Sequence, residues 1–103
     1  MAREVRLAAA AQIAPGKMQR FDGDGYRLVI ANVDGRFHAA DDRCTHEEAS
    51  LATGNLHGCL LKCPLHGSRF DLRDGRVLDD PAEEDLRIYP CRSDGDDVIV
   101  ELD

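Results

Sequence analysis

Two short segments, Cys44-Thr45-His46 and Cys63-Pro64-Leu65-His66, each set one thiol beside one imidazole, and sixteen residues, 47–62, separate them. Thiolate and imidazole are the donors that zinc sites and iron–sulfur clusters use. An all-thiolate iron–sulfur site takes four cysteines, and two cysteines with two histidines make a different electronic device. Two imidazoles in place of two thiolates on one iron of a [2Fe–2S] cluster raise its reduction potential well above that of plant-type ferredoxins. The reason is charge. Two anionic thiolates roughly neutralise the oxidised core and the imidazoles add nothing, so the incoming electron meets less negative charge. A structural Zn²⁺ would accept the same four donors. Zinc fingers, however, keep the cysteine pair together and the histidine pair together. Here the order is Cys, His, Cys, His, which disfavours zinc.

The same residues resemble the Rieske family, whose pattern is C-x-H, a spacer of roughly this length, then C-x-x-H followed by Gly and a small residue. Gly67 and Ser68 stand at those last two places. Either half alone arises often by chance, whereas both halves in this order, with Pro64 and Gly67 in place, are specific. The resemblance extends to Leu28-Val29-Ile30-Ala31 and Gly35-Arg36-Phe37-His38-Ala39 as entry strands. Phe70-Asp71-Leu72-Arg73-Asp74-Gly75 is similar to the family's exit hairpin, and Pro81-Ala82 to the loop that covers the cluster. About nine-tenths of the chain fits.

This resemblance implies an all-β fold, an antiparallel β-sandwich with a small cluster-binding subdomain of two loops. It implies one [2Fe–2S] cluster per chain, with Cys44 and Cys63 on the buried iron and His46 and His66 on the outer one. The chain is then an electron carrier with no catalytic residue of its own. It resembles the ferredoxin component of multicomponent aromatic-ring-hydroxylating dioxygenases, which implies electrons received from a flavin-dependent reductase and passed singly to a terminal oxygenase. An alternative is the accessory subunit of an assimilatory nitrite reductase, although those small chains often lack the ligands and all four are present here. A structural zinc-binding interaction module is a third, less favoured class.

Three residues are expected beside the cluster: Ser68, Phe70 and Pro81. In high-potential members of the family, the serine at the place of Ser68 donates to a cluster sulfur. A tyrosine at the place of Phe70 donates to a ligating sulfur, and a disulfide joins the loops at the places of Ala49 and Leu65. This chain keeps only the serine. Fewer donors stabilise the reduced cluster less, which lowers the potential. Asp41, Asp42, Glu47 and Glu48 flank the first segment and read as a solvated rim, or as a charge that steers docking.

The elements that must position these residues come from 103 residues, enough for one small domain over 1–103 with the cluster-binding part at about 41–72. So small a core commonly takes part of its stability from a metal site. Aromatics are 5% of the chain, so Leu, Val, Ile and Ala must fill the interior. A net charge of −7 argues against nucleic acid and anionic membrane surfaces and favours partners with basic patches. The apolar run near the start, Leu7-Ala8-Ala9-Ala10-Ala11, is too short for a membrane span and overlaps an expected first strand at 4–8. A cytoplasmic monomer is expected, since cysteines in ligand spacing fit a reducing compartment.

Turn signals recur at Pro15-Gly16, Asp22-Gly23-Asp24-Gly25, Asp34-Gly35, Gly54-Asn55, His57-Gly58, Asp74-Gly75 and Asp94-Gly95. Between them lie β-type runs at 18–21, 26–33, 37–39, 59–62, 76–78, 86–91 and 98–102, the pattern of a sandwich or barrel. Helix signal is poor, limited to a turn or two at 8–13, around 49–52 and at 81–85. Both ligand segments fall in loops. Cys59 and Cys91 lack a ligand motif and are expected to be small buried hydrophobes. His38 and His57 read as a strand residue and a turn residue.

Overall fold

The computed structural model describes residues 3–23, 25–45, 48–65, 67–80 and 82–102. Their strands are β1 (Arg3–Ala9), β2 (Met18–Gly23), β3 (Tyr26–Val33), β4 (Arg36–Asp41), β5 (Asn55–His57), β6 (Leu60–Lys62), β7 (Arg69–Asp71), β8 (Ile88–Tyr89), β9 (Cys91–Asp94) and β10 (Asp97–Leu102). They form three antiparallel sheets, ordered β1-β10-β9, β2-β3-β4-β8 and β5-β6-β7. The all-β expectation holds, and the helix among the described residues is confined to two 3₁₀ turns at Ala10–Gln12 and Leu51–Thr53.

The second sheet is the middle layer, and β3 shows why. Successive side chains of a strand face opposite sides. Leu28 and Ile30 enter one core with Phe37, Ala39, Val98 and Val100, against the first sheet. Val29 and Ala31 enter another with Leu51, Leu61, Phe70 and Leu72, against the third. A strand buried on both faces reads as an unbroken apolar run rather than an alternating one, which is what residues 28–31 show. Strand β10 buries one face only, and its Val98, Val100 and Leu102 alternate with half-exposed residues. Asn32, buried in the middle layer, donates through Nδ2 to the Ile13 carbonyl at 2.8 Å and accepts from the Gly35 amide at 2.8 Å. One side chain thus satisfies both the 3₁₀ connection and the β3–β4 turn.

Several sequence expectations need correction. The run 86–91 is not one strand. Pro90 separates β8, which pairs with β4 in the second sheet, from β9, which pairs with β10 in the first. Proline cannot donate to a ladder, so the chain changes sheets there. The run 76–78 makes only an isolated bridge, Val77 to Phe70. Asn55–His57, read as turn residues, pairs with Leu60–Lys62 as β5. The described part of 81–85 has no helix. No helix among the described residues is long and apolar enough to cross a membrane.

Candidate metal centre

Two loops leave the edges of this framework. The first follows β4: the Cys44 amide donates to the Ala49 carbonyl at 3.1 Å, which joins the two ends of this loop. The second follows β6: the Cys63 amide donates to the Ser68 carbonyl at 2.8 Å, and the Gly67 amide to the Cys63 carbonyl at 3.2 Å. Gly67 sits at φ +79°, the left-handed conformation such a closure requires and one that costs a residue with a side chain. The approach to the first loop is equally tight. A side chain at Gly54 would collide with the Lys62 backbone, so glycine there lets the end of the 3₁₀ turn lie against β6.

Cys44 and Cys63 are each 2% exposed and belong to one core cluster with Ala49, Leu51, Leu61, Phe70 and Leu72. Leu61, in β6, and Cys63, just past its end, enter the same core cluster. His46, His66 and Pro81 lie outside the described residues, and no group of three metal-ligating side chains occurs among those described. The donor chemistry fits a cluster: two soft thiolate donors are buried together in an apolar pocket, each at the base of a loop that carries a histidine in its sequence.

The segment 82–86 is tied to both loops. The Ala82 amide donates to Ser68 Oγ at 3.0 Å, and Thr45 Oγ1 donates to the Glu84 carbonyl at 2.7 Å. The segment is itself moored to the exit hairpin, where the Leu86 amide donates to the Gly75 carbonyl at 2.7 Å and the Val77 amide to Asp85 Oδ1 at 2.9 Å. Ser68 is buried and uses its oxygen as an acceptor, which leaves its own hydroxyl proton to donate. Phe70 is fully buried beside the two cysteines and has no proton to offer. Leu65, between Cys63 and the second histidine, is 57% exposed.

The supposed acidic rim is not one feature. Glu48 is exposed and pairs with Arg43 at 2.8 Å. Asp41 accepts from the Tyr89 hydroxyl at 2.6 Å, while Arg87 lies over the Tyr89 ring. Asp42 is fully buried and cannot be part of any rim. Glu47 lies outside the described residues. Sequence reasoning missed Asp42 because its partners, Arg20, Arg27, Ser50 and Ala52, come from other elements.

The remaining cysteines and histidines stand apart from this centre. Cys91 packs against the core between the first two sheets, where burial pushes its thiol up to about 12. Cys59 is half-buried in the turn before β6, so it is not a simple core residue. Asp71 is held down to about 2, chiefly by the Arg73 guanidinium, which outweighs the opposing effect of burial with further help from the Arg73 amide. His38, in β4, is held below the ordinary imidazole value chiefly by burial and by Arg36. His57, in β5, is exposed.

The family model of the Rieske [2Fe–2S] domain matches residues 3–90. The chain belongs to the Rieske [2Fe–2S] family. A relative named biphenyl dioxygenase ferredoxin subunit, from Pseudomonas sp. strain KKS102, is 41% identical over 88% of this chain and 84% of its own. Among solved structures, the ferredoxin of carbazole 1,9a-dioxygenase from Nocardioides aromaticivorans IC177 superposes with a TM-score of 0.90 at 33% identity, covering 94% of this chain and 95% of its own. A second, described as a complex of reduced oxygenase and oxidised ferredoxin in carbazole 1,9a-dioxygenase, contains a chain matched with a TM-score of 0.89 at 31% identity, covering 94% of this chain and 91% of that one. The Rieske domain described above thus carries a [2Fe–2S] cluster and is an electron-transfer component, not an enzyme in its own right.

Proposed function

We propose that this Rieske ferredoxin holds its cluster through Cys44, Cys63, His46 and His66 and passes single electrons from a flavin-dependent reductase to the terminal oxygenase of an aromatic-ring-hydroxylating system. It does so as a cytoplasmic, single-domain monomer that binds neither nucleic acid nor membrane. The observation that carries the reading is the burial of Cys44 and Cys63 in one apolar cluster at the base of two loops. The cluster supplies reversible one-electron chemistry. The chain's own residues do the rest. Ala49, Leu51, Leu61 and Phe70 keep water from the thiolates, and Thr45 and Ser68 fasten both loops to residues 82–86. Leu65, which precedes His66 in sequence, stands exposed and offers an apolar contact to a docking partner.

The partners are the finer part of the reading and rest on what the relatives are named. Mixing the dithionite-reduced protein with an oxidised terminal oxygenase of the biphenyl type in a stopped-flow instrument tests them. Transfer of one electron per chain is expected, slowed by Leu65→Asp. Absence of transfer, with a cluster that is itself reducible, overturns the oxygenase as partner.

A further inference from the structure

Asp42 stands two residues before Cys44 and has no exposed surface. Its two oxygens are used separately. Oδ2 accepts from Ser50 Oγ at 2.5 Å, and Oδ1 accepts from the Ala52 amide at 2.6 Å. Its own amide donates to the Arg27 carbonyl at 2.9 Å, fixing it against β3. Two guanidiniums face it from the middle sheet, Arg20 Nε and Arg27 Nε, each 3.6 Å from Oδ2. Arg27 Nε is buried and makes no hydrogen bond among the described residues, so Asp42 balances it through space rather than through a shared proton.

Two consequences follow from this arrangement. The first is mechanical. Asp42, the Ser50 hydroxyl and the Ala52 amide close the ring 42–52 at its base, and the Cys44-to-Ala49 hydrogen bond lies inside that ring. The backbone of Cys44 is therefore set from both ends. The second is electrostatic. A buried anion two residues from Cys44 opposes an electron arriving at a cluster held there, and low local polarity strengthens the effect relative to a surface carboxylate. Arg20 and Arg27 counter that charge from 3.6 Å, and Arg20 also pairs with Asp22 at 3.1 Å, so the share of Asp42 is read by removing its charge alone.

We propose that Asp42 is a positioning residue of the metal centre: it holds the first ligand loop shut through Ser50 and Ala52, and its buried charge lowers the reduction potential of the cluster. The inference rests on Cys44 being a ligand, and the test separates the two.

Asp42→Asn keeps the size and one acceptor oxygen but removes the charge. Its potential shifts upward, with a visible spectrum of wild-type shape. Ser50→Ala keeps the charge and removes one hydrogen bond from it. This variant releases iron to a chelator several-fold faster than wild type, while its potential moves little. If Asp42→Asn does not assemble a cluster, Arg20→Gln replaces it, since Arg20 is a half-exposed side chain whose loss unbalances the same anion and lowers the potential. An unmoved potential in the charge variant removes the electrostatic role, and a wild-type release rate in Ser50→Ala removes the positioning role. Cys44→Ser that retains an unchanged cluster defeats the ligand assignment itself, whatever the Asp42 variants do.

Discussion

Cys44 and Cys63 are buried thiols in one apolar cluster, well placed to bind a soft metal. Cys63→Ser should lose the cluster, and because metal binding and folding share one free energy, it should also lower the melting temperature. Iron content and a thermal melt check this, and full iron content in the variant would contradict it. Ser68 works in two directions. Its oxygen takes the Ala82 amide, and its proton is left to give. Ser68→Ala leaves a buried amide unsatisfied, at about 1–3 kcal/mol, and removes one donor from the neighbourhood of the cluster. Both the melting temperature and the potential should fall. A potential that stays put while the melt drops would mean that the hydroxyl only anchors residues 82–86. Phe70→Tyr is the opposite change. It adds an oxygen where the ring is fully enclosed, so overpacking of about 1–3 kcal/mol accompanies any rise in potential.

At the scale of elements, the exit hairpin holds a pH-sensitive contact. Asp71, at the end of β7, is clamped by Arg73, and its carboxyl falls from 3.8 to about 2. A carboxyl depressed in the folded state stabilises the fold above its unfolded value and loses that contribution as it protonates. The clamp is therefore fully effective above about pH 4 and fades as the pH falls through about 2. The Arg73 guanidinium is largely exposed, which screens the effect and keeps it modest. Urea midpoints of wild type and Arg73→Gln should differ at pH 5 and converge toward pH 2, and a constant gap would refute the clamp. The sequence makes some elements plain and hides others. Strand β3 is legible because both its faces are buried, so its run is unbroken. Strand β5 is invisible because Asn55, Leu56 and His57 have no strand character and pair only because β6 is beside them. The break at Pro90 was written in the proline, yet the apolar pattern on either side masked the change of sheet. The cysteines were legible from spacing alone. Asp42 was not, because its burial is decided by arginines of β2 and β3 and by the 3₁₀ turn, none of them near it in sequence.

The whole molecule carries a charge of −7 on a framework of three sheets. Such a field attracts a basic docking surface and is screened beyond roughly 8 Å at physiological salt. The second-order rate of electron transfer to the oxygenase should therefore drop steeply between low and high ionic strength, as stopped-flow traces would record. A rate indifferent to salt would assign docking to apolar contacts such as Leu65 alone. The central claim is that two histidines and two cysteines hold the cluster of a ferredoxin with few hydrogen-bond donors around it. Protein-film voltammetry on the wild-type chain tests it most directly. Histidine ligation places the potential between roughly −150 and +300 mV, and the missing donor at Phe70 with the missing loop disulfide at Ala49 and Leu65 place this one near the lower limit. A reversible one-electron wave there is the predicted result. A wave near about −400 mV, the value of all-thiolate plant-type clusters, or no wave at all, would contradict it.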